Sequence, residues 1–256
     1  MYKKLPAALK SAAAFLYIEL NCTLYLILST LQIMRILSVL LFLFLAAFSS
    51  SAQTLKDFFG PAKYRVTWLG IDYSHVKIIG PIAEFGGQVP VTAAELQTQW
   101  YPAWNQLMVD EKEKFNLYKM LYRPNITYDL QMIKNINAAS NIDSLEADKT
   151  PAYTEEQIKK FVADYPLENG FGFGAFFIVE SMNKASDKAF YHIVIINMAT
   201  KEVLIQARVQ GNASGFGIRN FWAGSYYDAM GKIQKNIYPE WELKYGPPKP
   251  RPLSAY

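Results

Sequence analysis

Asp72, Ser74 and His75 are the residue types of a hydrolytic triad, and they occur within four positions of one another. A triad needs an acid, a base and a nucleophile that converge from different elements of the fold. In an extended chain, Asp72 and Ser74 project to one face and His75 projects to the other. This spacing argues against a triad, and we predict no catalytic residue. A periplasmic hydrolase that uses Asp72 and His75 as acid/base groups is the alternative function.

The sequence contains few residues of the types that bind metal ions. The chain contains two histidines and one cysteine, Cys22, which lies near the N-terminus. His192 stands between Tyr191 and Ile193 in an apolar run, a setting typical of a hydrogen-bonded core histidine rather than of a metal ligand. No His, Cys or carboxylate spacing of a zinc or calcium site is present. We therefore predict neither a metal site nor a cofactor.

Two glycine-rich segments could contact a ligand through their backbone. Residues 170–174, GFGFG, come before a strand, whereas a dinucleotide-binding loop follows a strand and opens a helix. Residues 211–220 do lead into a helix, and the N–H groups at a helix N-terminus favour anions. That loop lacks the Gly-Lys-Ser/Thr of a phosphate loop, so a structural turn and a partner-binding loop are the two interpretations. The candidate contact residues are Gly215, Gly217, Arg219, Asn220 and Trp222.

The elements that would position these residues follow from hydrophobic periodicity and capping signals. Residues 175–182, 190–197 and 203–210 are successive runs rich in Phe, Ile, Val and Tyr, typical of strands. A helix-period run begins at Phe221, and we expect Pro239 to end it. Within that helix, Gly224 and Gly231 lower helix propensity, which predicts close packing against neighbouring elements.

The first half of the chain alternates strands and helices. Residues 64–71 predict a strand that runs on or bulges toward residue 79, and residues 126–132 predict a second strand. Capping boxes at residues 92–95 and 154–157 predict two helix starts. The first helix is expected to kink or break near Pro102, and residues 137–150 are expected to have little local order.

The predicted order of elements is β-α-β-α-β-β-β-α. We expect an α+β fold with a single mixed or antiparallel sheet of about five strands and with helices packed on it.

The N-terminus carries the layout of a secretory signal peptide. Met34-Arg35 precedes the apolar residues 36–48, and small residues stand at Ser50 and Ala52. We predict a signal peptide over residues 34–52, with cleavage near Ala52. Residues 1–33 are then a misassigned upstream extension, with a membrane anchor as the alternative.

The expected mature chain comprises one domain and a short tail. The domain is residues 53–245 and the Pro-rich tail is residues 246–256. From residue 53 onward there are 22 Lys and Arg against 21 Asp and Glu, and no cysteine. This balance argues against a nucleic-acid-binding protein, which would show a concentrated basic surface. We expect no stable membrane span in the mature chain, and a periplasmic or secreted location.

The C-terminal half resembles a known type of exported module. The hairpin at residues 200–203, between an apolar and an amphipathic strand, leads to a glycine-rich loop and a closing helix. This order is similar to that of the periplasmic α/β module of the CsgG type, found in envelope-assembly and secretion accessory proteins of Gram-negative bacteria. Residues 215–224, GFGIRNFWAG, also resemble exported bacterial proteins of uncharacterised function. The resemblance implies an exported, non-enzymatic binding or assembly module whose partner is an envelope protein or a glycan.

Overall fold

The computed structural model describes residues 31–32, 34–35, 37, 54–60, 64–167 and 170–248. Residues 1–51 and 52–256 form two separate compact units, and the few described residues of the first are helical. Most of the predicted extension and signal peptide, and the tail from residue 249, lie outside the described residues. Among the residues that are described, no helix is long and apolar enough to cross a membrane.

The second unit is built on a mixed sheet of seven strands. Five of them pair in parallel in the order β3-β1-β5-β2-β4, β6 pairs antiparallel with β5, and β7 pairs antiparallel with β6. The strands are β1 Val66–Asp72, β2 Lys77–Ile79, β3 Ile126–Tyr128, β4 Glu146–Ala147, β5 Phe173–Asn183, β6 Lys188–Asn197 and β7 Val203–Asn212.

Strand β5 is the centre of this sheet. β6 pairs with β5 along its whole length, from Phe173 to Asn183. β1 pairs with residues 173–178 of β5 and β2 with residues 181–183. Because β6 occupies one edge of β5, β1 and β2 must share the other edge, end to end. The predicted first strand therefore continues to Ile79, interrupted by a turn.

Two buried asparagines hold the irregular end of β1. β1 changes register against β5 between Trp68 and Gly70. The side chain of Asn105 accepts a hydrogen bond from the Ile71 N–H at 2.7 Å and donates to the Ile71 carbonyl at 2.9 Å. Asn137 accepts from the Tyr73 N–H at 2.7 Å. These side-chain amides make the backbone hydrogen bonds that a neighbouring strand would make in a regular sheet.

Helices cover both faces of the sheet. They are α1 Leu55–Phe59, α2 Ile82–Phe85, α3 Ala93–Glu95, α4 Tyr101–Asp110, α5 Leu117–Leu121, α6 Gln131–Ala139, α7 Glu155–Ala163, α8 Gly217–Lys232 and α9 Tyr238–Tyr245. Helices α4 and α8 pack on one face, where Trp68, Phe177, Tyr191 and Trp222 are fully buried. Helices α6 and α7 pack on the other face, around Phe176 and Val194.

The prediction of a mixed sheet with helices packed on it is confirmed, and the three-strand unit followed by a helix is β5-β6-β7-α8. The count of about five strands differs from the seven found. β2 is the continuation of the first strand beyond its turn, and β4 has only two residues in a stretch expected to have little order. The α+β class is corrected to a mixed α/β fold, and an all-antiparallel sheet is wrong, because β1 to β5 pair in parallel.

The second predicted strand is too long. It ends at Tyr128, and α6 begins at Gln131, with the Asp129 carboxylate accepting the Gln131 N–H at 3.2 Å. The alternation of Leu130 and Met132 with polar residues suggested a continuing strand. Ile133 and Ile136, three residues apart, instead pack a helix face on the sheet.

Neither helical proline ends its helix. Pro102 follows a π-helical turn, Leu96–Trp100, and Pro239 follows another, Ile233–Ile237. Both prolines stand in the first turn of the α-helical segment that follows. The wider turn makes room for a ring that would clash with the carbonyl four residues earlier in a regular helix. The expected end at Pro239 is therefore wrong, and α9 continues to Tyr245.

Candidate functional site

The carboxylate of Asp72 lies fully buried at the end of β1, on the face covered by α7. It accepts a hydrogen bond from the Ser74 N–H at 2.7 Å and another from the Tyr165 hydroxyl. Burial, followed by the nearby Asp72 charge, raises the pKa of Tyr165, so this hydroxyl keeps its proton as the donor. Through these two bonds, Asp72 connects the turn between β1 and β2 to Tyr165, which follows α7.

His75 lies on the same side of the sheet as Asp72. Its ring stacks on Phe161 of α7, with centroids 3.5 Å apart and planes 11° apart. Our expectation that His75 would point to the opposite face is wrong, because the chain turns after Asp72 instead of continuing as a strand. Burial lowers the pKa of His75 and outweighs the opposing influence of Asp72 and Asp164, which favours the neutral ring.

No hydrogen bond in the described chain connects Ser74, His75 and Asp72 through their side chains. The Ser74 hydroxyl is buried and has no partner among the described residues. The only bond from Ser74 to Asp72 is made by its backbone. The three residue types are thus close together, but a nucleophile–base–acid chain is not assembled.

A second polar cluster, buried except for its arginine, joins three strands on the same face. Glu180 of β5 is fully buried and bonds to His192 of β6 at 3.0 Å and to Arg208 of β7 at 2.6 Å. The other ring nitrogen of His192 lies 3.0 Å from the Gln206 side-chain oxygen. The Arg208 guanidinium also covers the Phe190 ring, 3.8 Å from its centroid. The prediction that His192 is a hydrogen-bonded core residue is confirmed.

The environment of Glu180 keeps it ionised. Burial acts to raise its pKa, but hydrogen bonds from His192 and Arg208, together with their charge, lower the pKa to about 2. The sequence prediction did not single out Glu180. Its signal was a lone carboxylate in the apolar run of β5, which requires a cationic partner when buried.

The loop between β7 and α8 lies at the carboxyl edge of the sheet. β2, β5 and β7 run in the same direction, so their last residues reach this edge together. Open α/β sheets bind ligands outside the carboxyl ends of their strands. The Ala213 N–H donates to the Asp187 carbonyl at 2.7 Å and ties this loop to the β5–β6 turn. The predicted partner-binding loop therefore occupies a position that suits a binding site.

Gly215 and Gly217 line a small cavity of about 140 Å³ at this edge. Their φ angles are 127° and 74°, a region that glycine adopts without strain. Between them, Phe216 leaves 95% of its side chain exposed. The cavity is also lined by Phe85, Gly86, Lys184, Ile218 and Phe221. The two glycines thus hold an apolar ring out into solvent beside a small depression.

The other three candidate residues divide between surface and core. Arg219 pairs with Glu111 at 3.0 Å and donates to the Asn220 side-chain oxygen at 3.1 Å. Trp222 is fully buried and stacks on Phe85 with centroids 4.5 Å apart. The structure therefore brings Gly215, Gly217, Arg219 and Asn220 to the surface, and places Trp222 in the core beneath them.

An open groove of about 540 Å³ lies on the other side of this loop. Its walls are α5, with the turn before it, and α8 with the π turn after it. The lining includes four lysines, Lys114, Lys119, Lys232 and Lys235, and two acidic residues, Glu113 and Asp228. Sequence reasoning missed the groove, because these lysines come together only when α5 packs beside α8.

Some lysines of the groove are paired with other groups of the protein, and others are not. Lys232 donates to Asp228 at 2.8 Å and to the Gln210 carbonyl at 2.9 Å. The side-chain ammonium groups of Lys119 and Lys235 are exposed and have no hydrogen-bond or ion-pair partner in the described part of the chain. A groove of this volume falls within the range of ligand sites. Within the described ranges, no cluster of His, Cys, Asp or Glu could hold a metal ion.

Comparison with known proteins adds no assignment. No protein-family model matches the sequence, and no curated protein matches it.

Proposed function

We propose that this chain is an exported, envelope-associated binding module without enzymatic activity, and that it binds at the carboxyl edge of its sheet. The observation that carries the proposal is the lysine-lined groove on one side of the β7–α8 loop, which also exposes Phe216. The buried ionisable groups Asp72, Glu180 and His192 are engaged in internal hydrogen bonds that hold strands together. The groups free to meet a ligand lie at this surface instead.

The chemistry of the groove favours an acidic polypeptide segment of an envelope protein as the ligand. Lys119 and Lys235 are free to pair with carboxylates, and Tyr227, 54% exposed, adds an aromatic surface at the groove. Phe216 offers an apolar contact at the edge of the same loop. Charged groups steer an acidic ligand toward the groove, while an exposed aromatic ring provides a site that can be buried on binding.

Binding to a defined acidic probe tests the proposal. We would titrate a fluorescent oligo-glutamate peptide against the protein and measure anisotropy at low and physiological salt. The Lys119→Glu/Lys235→Glu variant should bind at least about tenfold more weakly, because two attractive charges become repulsive. Phe216→Ser should weaken binding of a peptide that also carries a phenylalanine.

The matched control is Lys149→Glu/Lys160→Glu, which makes the same change in net charge at exposed positions outside the groove. It should bind the peptide like the wild type. An equal loss in both double variants would show that only net charge matters and would contradict the proposed site. Binding of an anionic polysaccharide, such as polygalacturonate, in place of the peptide would favour the glycan as ligand.

The alternative is a hydrolase that uses Asp72 and His75. One observation favours it: the unpartnered Ser74 hydroxyl lies beside both residues, at the carboxyl end of a parallel strand. An acid/base enzyme would lose turnover when either group is removed. Release of nitrophenol from simple esters that disappears in His75→Gln and in Ser74→Ala, with unchanged melting temperature, would establish this alternative.

A further inference from the structure

Strand β7 forms an open edge of the sheet. It pairs with β6 on one side, and its other side faces no strand among the described residues. With ten residues it is much longer than the strands at the opposite edge, β3 and β4, which have three and two. An edge strand presents a row of N–H and C=O groups that can pair with another chain.

Some of these N–H and C=O groups already form hydrogen bonds with side chains of α8. The Asn212 N–H donates to Asp228 at 2.7 Å, and the Gln210 carbonyl accepts from Lys232 at 2.9 Å. These two bonds identify the residues whose backbone faces away from β6. The register with β6 is unbroken from Ile205 to Asn212, so Gln206 and Arg208 face the same way.

The outward backbone groups of Gln206 and Arg208 have no partner in the described chain. Helix α8 supplies Asp228 and Lys232 to the end of β7 only, and leaves its middle open. The backbone N–H and C=O groups of these two residues are therefore available for pairing at the centre of β7. Exposed backbone groups of this kind are satisfied by water or by an added strand.

The usual protection of such an edge is missing from the middle of β7. Native edges are blocked by Lys, by Pro or by a charge directed across the edge. Residues 203–209 contain neither Lys nor Pro. The one charge, Arg208, is directed back over the sheet onto Glu180 and Phe190. Ile205 and Ala207 are only partly buried, so an added strand would cover apolar surface as well.

We propose that two copies of this chain pair through β7, antiparallel, about a twofold axis at Ala207. In this register Gln206 of one copy stands opposite Arg208 of the other, and the pair exchanges four backbone hydrogen bonds in total. Ile205 stands opposite Val209, so apolar residues meet apolar residues. An axis at Arg208 would instead oppose two guanidinium groups, and like charges directly opposite one another destabilise a sheet.

The pairing has a natural limit at each end. The Gln210 carbonyl is occupied by Lys232, and β7 shifts register against β6 between Ile205 and Val203. The free segment is thus about five residues, centred on Ala207. Its pattern is self-complementary about that centre, which is the property that a symmetric interface requires.

A charge-swap experiment tests the axis directly. Residues opposite each other at the axis have Cβ atoms about 5 Å apart, so Ala207→Lys and Ala207→Glu each oppose two like charges. Sedimentation velocity should find a concentration-dependent dimer for the wild type. Each variant alone should dimerise at least about tenfold more weakly, and an equal mixture of the two should recover the dimer.

Two further measurements separate this result from a general effect of charge and locate the interface at β7. Ala138→Lys and Ala138→Glu place the same charges at an exposed position of α6 and should leave the dimer unchanged. In the wild type, the amides of Gln206 and Arg208 should exchange with solvent more slowly as concentration rises. A wild-type protein that stays monomeric overturns the proposal. So does a mixture that fails to recover a dimer which both variants have lost.

Discussion

At the scale of single residues, the ion cluster of Glu180 shows what sequence can and cannot predict. The hydrogen-bonded state of His192 follows from its position in an apolar strand, because a polar ring in such a place needs partners. The identity of the partners does not follow. Glu180, His192 and Arg208 lie on three strands, and only the register of β5, β6 and β7 places them side by side.

Removal of the Glu180 charge should destabilise the protein in a pH-dependent way. The pKa of Glu180 falls from its ordinary value of 4.5 to about 2, which corresponds to about 3 kcal/mol of stabilisation. Between these pH values the unfolded chain binds more protons than the folded one. This stabilisation is therefore complete above about pH 4.5 and is lost as pH falls toward 2. In urea unfolding, Glu180→Gln should have a lower free energy of unfolding than the wild type at pH 6, and the difference between the two proteins should be smaller at pH 3.

The control for this measurement is Glu240→Gln, which removes an exposed carboxylate. It should follow the wild-type profile throughout. A Glu180→Gln deficit of constant size from pH 6 to pH 3 would contradict the assigned role of the charge.

Two glycines of α8 should respond to alanine in opposite directions. A Cβ at Gly224 would lie 2.2 Å from the Ser214 carbonyl oxygen, so Gly224→Ala must force α8 away from the loop. A Cβ at Gly231 would meet nothing within 4 Å, so Gly231→Ala should stabilise by up to about 1 kcal/mol. Thermal melts should show a lower melting temperature than the wild type for Gly224→Ala and a higher one for Gly231→Ala. Our sequence prediction of close packing is confirmed for Gly224 and wrong for Gly231.

At the scale of elements, the strands and helices with strong periodicity were predictable, and the short or irregular ones were not. β5, β6, β7 and α8 have long apolar patterns that only one kind of element satisfies. The start of α6 depends on a local bond between Asp129 and Gln131, and the continuation of the last helix depends on a π turn. The groove between α5 and α8 depends on packing between elements far apart in sequence.

The core between α8 and the sheet should carry much of the stability. Trp222 and Ile195 are both fully buried. Trp222→Ala and Ile195→Ala should each lower the free energy of unfolding by about 2–5 kcal/mol, since each leaves a cavity. Chemical denaturation measures the loss. Leu243→Ala, at a side chain that is 87% exposed, is the control and should change little. An Ile195→Ala variant as stable as that control would contradict this account of the core.

At the scale of the whole molecule, the described part of the second unit begins at Thr54, and both export and the start of the mature chain are predictions. The layout of residues 34–52 predicts removal of the leader after Ala52.

Intact-mass analysis of protein from the envelope fraction tests this prediction. We expect a mass that begins at Gln53. A mass that retains residues 1–52 would support the membrane anchor instead, and a soluble periplasmic module would then be the wrong description.

The shared edge of β5 also determines the order in which the sheet can assemble. The β5-β6-β7 hairpins form between neighbouring segments, whereas Val66 must wait for Phe173 before β1 can pair with β5. Contacts between distant segments form more slowly, because a long loop must close first. A chain that crosses a membrane N-terminus first would therefore leave the β5-facing edges of β1 and β2 open until β5 arrives. Pulse-labelling hydrogen exchange during refolding should protect the β6 amides before those of β1, and the reverse order would show that the N-terminal half organises the sheet.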